Sequence, residues 1–143
     1  MATYVKFEQY VEDLASAVHN WGAHTFKIQA SNTAPDAAAD EVEADLPADL
    51  STANGYTAGG LTLDTVALTR SGGTAKVTIA DEVMTASGGS IGPFRYFPIL
   101  NDSPTSPADP LVAYYDYASS ITLLVTETFT WDFDGSAGFW TMA

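Results

Sequence analysis

Phe7, Tyr10, Val11, Leu14 and Val18 recur at helical spacing, with Glu8, Glu12 and Asp13 on the opposite side. The pattern predicts one amphipathic helix within residues 1–22, running to about Asn20, ended by Asn20 or Gly22, and packed through Phe7, Val11, Leu14 and Val18. The period then changes. In "TFKIQASN", Phe26 and Ile28 alternate with Thr25, Lys27 and Gln29, the two-residue repeat of a strand with one buried face. Residues 33–53 ("TAPDAAADEVEADLPADLSTA") hold no alternation and a dense run of acids, so they read as an exposed excursion with room for one short helical turn.

From residue 54 the punctuation is "NGY", "AGG", Gly72-Gly73, Gly88-Gly89 and the stretch from Asn101 to Pro110. Between these marks lie "LTLDTVALT", "TAKVTIA", "FRYFPIL", "LVAYYDYA", "ITLLVTETFTWDF" and "GFWTM". Many short strands with Gly and Pro turns predict a mainly β fold: a β-sandwich or jelly-roll-like body over 54–143 in a single domain, with the N-terminal helix packed on it. In the last long run Ile121, Leu123, Val125, Phe129, Trp131 and Phe133 share one parity, which Glu127 interrupts. Either a turn at "VTETF" splits the run into a hairpin or Glu127 sits on an edge, because an unpaired carboxylate does not survive in a core.

Composition narrows the partners. Eighteen acidic residues against five basic ones give a net charge of −13, which repels nucleic acid and anionic membranes. At 46% apolar and 12% aromatic residues the chain is too hydrophobic for a disordered acidic tail. It has no cysteine and no apolar run long enough to span a bilayer, and "MATYVKFEQYVEDL" lacks the character of a secretory signal, so synthesis in a host cytoplasm is expected.

Signs of catalysis are sparse. His19 and His24 stand five apart, not at the spacing that aims two imidazoles from one helix at a metal. "GGSIG" lacks the lysine and the strand-to-helix setting of a phosphate loop, and no nucleophile elbow occurs. Asp132 and Asp134 share one side of a strand, and Asp102, Asp109 and Asp116 flank the Pro-rich loop, but an acid-rich chain produces such pairs by chance. "NDSPTSPADP" offers oxygen ligands without the spacing of a calcium loop. No catalytic residue, metal or cofactor is expected.

The aromatic residues carry more information. "FRYF" and "YYDY" place rings on both faces of their strands, so both faces must be covered. The helix or the acidic segment could cover the second face, or a partner could, since Tyr, Trp and Arg are enriched in interface cores. Phe94, Tyr96, Tyr114, Tyr115, Tyr117 and Trp140 are therefore the candidate contact residues.

The run "YVKFEQYVEDLASAVHNWGAHTFKIQASNTAP", then "NGYTAGG", "GGSIGPFRYFPILNDSPTSPADPLVAYYDYASSITL" and "ETFTWDFDGSAGFWTM", resembles a small family of tailed-bacteriophage proteins encoded among the virion structural genes. The resemblance covers nearly the whole chain, and "NDSPTSPADPL" is its most specific part. Trp21 stands where the family is expected to carry leucine and Ala118 where it is expected to carry glycine, and the middle is longer and more acidic. The resemblance implies a structural role without catalysis. Charge then selects the outside of the head, because −13 would be repelled by packaged DNA. The expectation is a capsid decoration (cement) protein bound to the major capsid protein on the outer surface of the head, as a homo-oligomer, with a trimer the first guess. A tail or head-tail connector protein, and a carbohydrate-binding fibre module using Tyr114, Tyr115 and Trp140, are the alternatives.

Overall fold

The computed structural model describes residues 2–143. In chain order the strands are β1 (Thr3–Lys6), β2 (Phe26–Ile28), β3 (Leu61–Thr62), β4 (Ala67–Ser71), β5 (Thr74–Thr78), β6 (Glu82–Thr85), β7 (Ile91–Asn101), β8 (Leu111–Leu123), β9 (Thr128–Trp131) and β10 (Trp140–Met142). One helix, α1 (Gln9–Ala15), follows β1, and a single 3₁₀ turn spans Glu43–Asp45. A five-stranded sheet has the order β1-β8-β7-β2-β3, a three-stranded sheet β10-β5-β4 and a two-stranded sheet β6-β9. All pairings are antiparallel. The chain is thus mainly β with one helix, and its body is sandwich-like, as the alternation predicts. Among the described residues no helix is long and apolar enough to cross a membrane.

The core lies between the sheets. Phe26 and Ile28 of β2, Phe97 and Ile99 of β7, Val77 of β5, Met84 of β6 and Trp131 of β9 belong to one buried cluster. On the other face of the large sheet Leu100 and Leu111 join Phe7, with Ala37, Leu46 and Tyr114 packed against them. Ala37 and Leu46 come from the acidic segment, so residues 33–53, though largely solvent-facing, lie against the sheet. The segment is a strap along the sheet. It is tied by Glu8 N–H to the Ala37 carbonyl, Glu43 N–H to Asp109, Leu111 N–H to Glu41 and Leu50 N–H to Ala30, at 2.9–3.0 Å. Asp36, Glu41 and Asp45 are exposed, while Ala37, Val42 and Leu46 are half-buried. The second face is therefore covered in part from within the chain, around Phe7, Leu100 and Leu111, while Arg95, Tyr96 and Tyr114 stay half-buried.

The helix also departs from expectation. It ends at Ala15, because Ala17 adopts φ 61°, and the Val18 and Ala17 N–H groups donate to the Asp13 and Leu14 carbonyls at 2.8 and 3.3 Å. This is a Schellman closure made without glycine. Its inward face is Tyr10 and Asp13 with half-buried Leu14, whereas Val11 is 52% exposed and Phe7 precedes the helix.

Ordinary alternation puts Tyr114 and Tyr115 of "YYDY" on opposite faces, and irregular pairing brings both Phe94 and Phe97 of "FRYF" into the core. Phe94 lies opposite Ile121 and Tyr96 opposite Asp116, so Tyr117 to Ser120 bulge out against Arg95 alone. Within that bulge Ala118 holds φ 73°, the left-handed region that favours the glycine expected there. The long C-terminal run is not one strand. β8 ends at Leu123, the Glu127 N–H donates to the Leu124 carbonyl at 2.9 Å, and the Glu127 carboxylate accepts from the Leu124 N–H at 2.8 Å. The turn alternative for Glu127 holds, but its two arms do not form a hairpin, since β8 pairs with β7 and β9 with β6.

Candidate functional site

Alternation in β9 turns Phe129 and Trp131 inward and leaves Thr128 and Thr130 outside. The chain continues past the strand with Phe133 buried and Asp132 exposed, held there by the Phe133 N–H donating to the Asp81 carboxylate at 2.9 Å. Asp134 then accepts from the backbone N–H groups of Ser136 and Ala137, both at 2.8 Å, and these bonds hold its carboxyl below the usual range. The turn they close needs Gly138, whose φ is 89° and whose missing Cβ would lie 2.6 Å from the Lys76 side chain. It brings Phe139 back against Tyr4 and near Tyr115, with ring centroids 5.8 and 6.5 Å away.

These segments enclose an open cleft of about 360 Å³. Its walls are rings from β7, β8, β9 and the last turn, with Asp132 and Asp134 among its lining residues. Phe129 stacks on Phe97 at 5.0 Å and meets Trp131 and Tyr117 edge-on at 5.1 and 5.7 Å. Burial pushes the Tyr115 hydroxyl up to about 12, so it stays neutral through the physiological range. The indole N–H of Trp131 is buried without a hydrogen-bond partner.

The six residues expected to form a contact surface are dispersed. Phe94 is 0% exposed and belongs to the core, so it is withdrawn as a contact residue. Tyr115 is a half-buried cleft wall, and Tyr117, 42% exposed, also lines the cleft. Tyr96 and Tyr114 meet edge-on at 6.3 Å on the far face of the sheet. There the Arg95 guanidinium lies 4.9 Å from the Tyr96 ring centre and forks onto Asp116 at 2.7 and 2.9 Å. Trp140 belongs to a third place, an apolar groove of about 270 Å³ between α1 and the three-stranded sheet, beside Leu68 and Met142. Phe129 was not singled out from sequence as a site residue; its shared parity with Trp131 was the available signal.

The two histidines do converge, but on an amide. Asn101 at the end of β7 presents its side-chain nitrogen 3.1 Å from His19 Nδ1 and 3.0 Å from His24 Nδ1. With the amide donating to both, each imidazole accepts at Nδ1. His19 Nε2 and Asp13 Oδ2 are 3.9 Å apart, and both are buried without a hydrogen-bond partner. Burial lowers the His19 pKa to about 4, against the pull of Asp13 and with the help of His24. Among the described residues no group of three or more His, Cys, Asp or Glu is placed to hold a metal ion. Asp102 is paired with Lys27 at 2.9 Å, and Ser103 accepts from the Thr25 N–H at 2.8 Å, so the Pro-rich loop is braced against the base of β2. No family model, curated protein or solved structure matches the chain.

Proposed function

We propose that this chain is a non-enzymatic virion structural protein, a decoration protein that binds the outer surface of a phage head through the major capsid protein and stabilises it. The observation that carries the reading is the aromatic cleft bearing two carboxylates, which no described segment of the chain closes. Large rings at a solvent-open site are what interface anchors are made of. Two further supports are the resemblance of "NDSPTSPADPL" and its flanks to virion proteins, and the charge of −13, which suits the outside of a DNA-filled shell. The mechanism is selective binding: a protein that binds only the assembled lattice stabilises it by mass action. A homotrimer at a three-fold position fits this role.

The test adds purified protein back to heads that lack it and measures what sediments with them. Tyr117→Ala is expected to weaken attachment by about 2 kcal/mol while leaving the isolated protein folded, as truncated anchors do. Undecorated heads should release DNA at a lower temperature than decorated ones. A copy number far below that of the major capsid protein would move the chain to the tail or connector. Rings and carboxylates together also suit a glycan; wild-type attachment by Tyr117→Ala with lost adsorption to host cells would replace the decoration reading with the carbohydrate-binding one.

A further inference from the structure

The chemistry of the cleft specifies its occupant more narrowly than its shape does. Phe97, Phe129, Phe133 and Phe139 offer ring surface and no polar group, and the lining includes no cation. Its charged groups are Asp132 and Asp134. Asp132 has no hydrogen-bond or ionic partner among the described residues. Of the chain's five Lys and Arg side chains, Lys27 is held by Asp102, Arg95 by Asp116 and Arg70 by the Gly72 carbonyl. Lys76 donates to the Ser136 carbonyl and helps to hold the Asp134 carboxyl low, which leaves Asp132 as the cleft carboxylate without a cation beside it. An anion is excluded by the carboxylates and by the overall charge. A sugar could stack on these rings and bond the Tyr117 and Thr130 hydroxyls and the carboxylates, so it is the competing occupant that the test must separate. A positive head on an apolar stem satisfies both components, because the stem covers ring surface while the head gains from ring faces and carboxylates together. The volume, about 360 Å³, lies at the small end of the roughly 300–1,000 Å³ usual for ligand sites and suits a side chain better than an oligomer.

We propose that the cleft receives a lysine or arginine side chain from a basic surface segment of a protein partner, with the stem on Phe129 and Tyr117 and the head at Asp132. The proposal rests on the decoration reading for the identity of the partner, the capsid lattice, but its chemistry is testable without heads. The isotope-labelled full chain is titrated with the blocked tripeptide Gly-Arg-Gly, with its Gly-Leu-Gly counterpart, and with N-acetylglucosamine. The expected result is saturable movement of the Trp131 indole signal and of the Asp132 and Phe129 amides by the arginine peptide, with half-saturation at about millimolar concentration. The leucine peptide should bind about tenfold more weakly, and Asp132→Asn, an exposed change that breaks no contact, should cost the arginine peptide a comparable factor. Raising salt should weaken the arginine peptide selectively.

Equal binding of the two peptides, or an unchanged affinity in Asp132→Asn, overturns the cation assignment. Movement of the same signals by the sugar alone assigns the cleft to glycan and overturns it as well. With heads, Asp132→Asn that stays fully attached removes the lattice from the proposal. Wild-type protein that takes the arginine peptide yet never sediments with heads defeats the decoration reading instead and leaves the cleft chemistry standing.

Discussion

Phe26→Ala is expected to lower the unfolding free energy by about 3–5 kcal/mol, the usual range for deleting a fully buried phenylalanine. Phe26 is 0% exposed, and its ring lies on that of Trp21 at 3.8 Å with an interplanar angle of 5°. Trp21 in turn donates its indole N–H to the Tyr10 hydroxyl at 2.9 Å, which fixes the helix against the return from Ala17 to His24. Removing the Phe26 ring opens a cavity at the point where helix, return and sheet meet and strips Trp21 of its stacking partner. Val11→Ala is the control. Val11 sits on the helical stripe that the sequence assigns to the core, yet it is 52% exposed, so its truncation should change stability by no more than about 0.5 kcal/mol. Urea midpoints for the two variants decide the matter, and similar losses would mean that the helix faces the sheet differently.

Acid should destabilise the fold through His19. Its folded pKa is about 4 against 6.5 for an unperturbed histidine, so between these values the unfolded chain binds a proton that the folded chain refuses. The contribution is fully present above pH 6.5 and is lost as pH falls toward 4. The full shift corresponds to about 3 kcal/mol. The cause is burial of the imidazole, and a second proton would also place an N–H at Nδ1, facing the Asn101 amide nitrogen that now donates there. Urea midpoints measured from pH 7 to 4.5 should therefore fall steeply in wild type and less so in His19→Gln, which keeps an acceptor for Asn101. Glu82 acts in the opposite direction, since burial holds its carboxyl above the usual range, but it is common to both proteins and cancels in the comparison. Parallel slopes would show that His19 titrates normally.

The strand content and the inward parity of Phe26, Ile28, Trp131 and Phe133 were legible because alternation reports directly on which side of a sheet is dry. The need to cover two faces was legible from "FRYF" and "YYDY" for the same reason. The early end of the helix was not, because a left-handed alanine carries no sequence signature of the kind glycine would. Asp13 was assigned to the solvent face by its charge, and its burial opposite His19 depends on a chain reversal that helical periodicity does not encode. The cleft was least legible of all. Its walls come from residues near 97, 115 and 129–139, and the bulge from Tyr117 to Ser120 that presents Tyr117 there arises from pairing irregularities with β7.

The acidic strap sets a timescale as well as a covering. Its first half is attached mainly by a few backbone hydrogen bonds and by side chains as small as Ala37, and its second half is pinned further by Glu43 to Gln29 and by Asp49 to the Tyr56 hydroxyl, while its charges repel the rest of an anionic surface. Such a segment opens as a unit without global unfolding. Its backbone amides bonded outside the strap, those of Glu43 to Asp109 and Leu50 to Ala30, should exchange with solvent deuterium well before those of Phe97 and Ile99. Low ionic strength should widen the gap, because unscreened repulsion favours the open strap. Opening of the strap would uncover Leu100, Leu111 and Phe7 together, so what it seals in the static fold is an adhesive apolar strip.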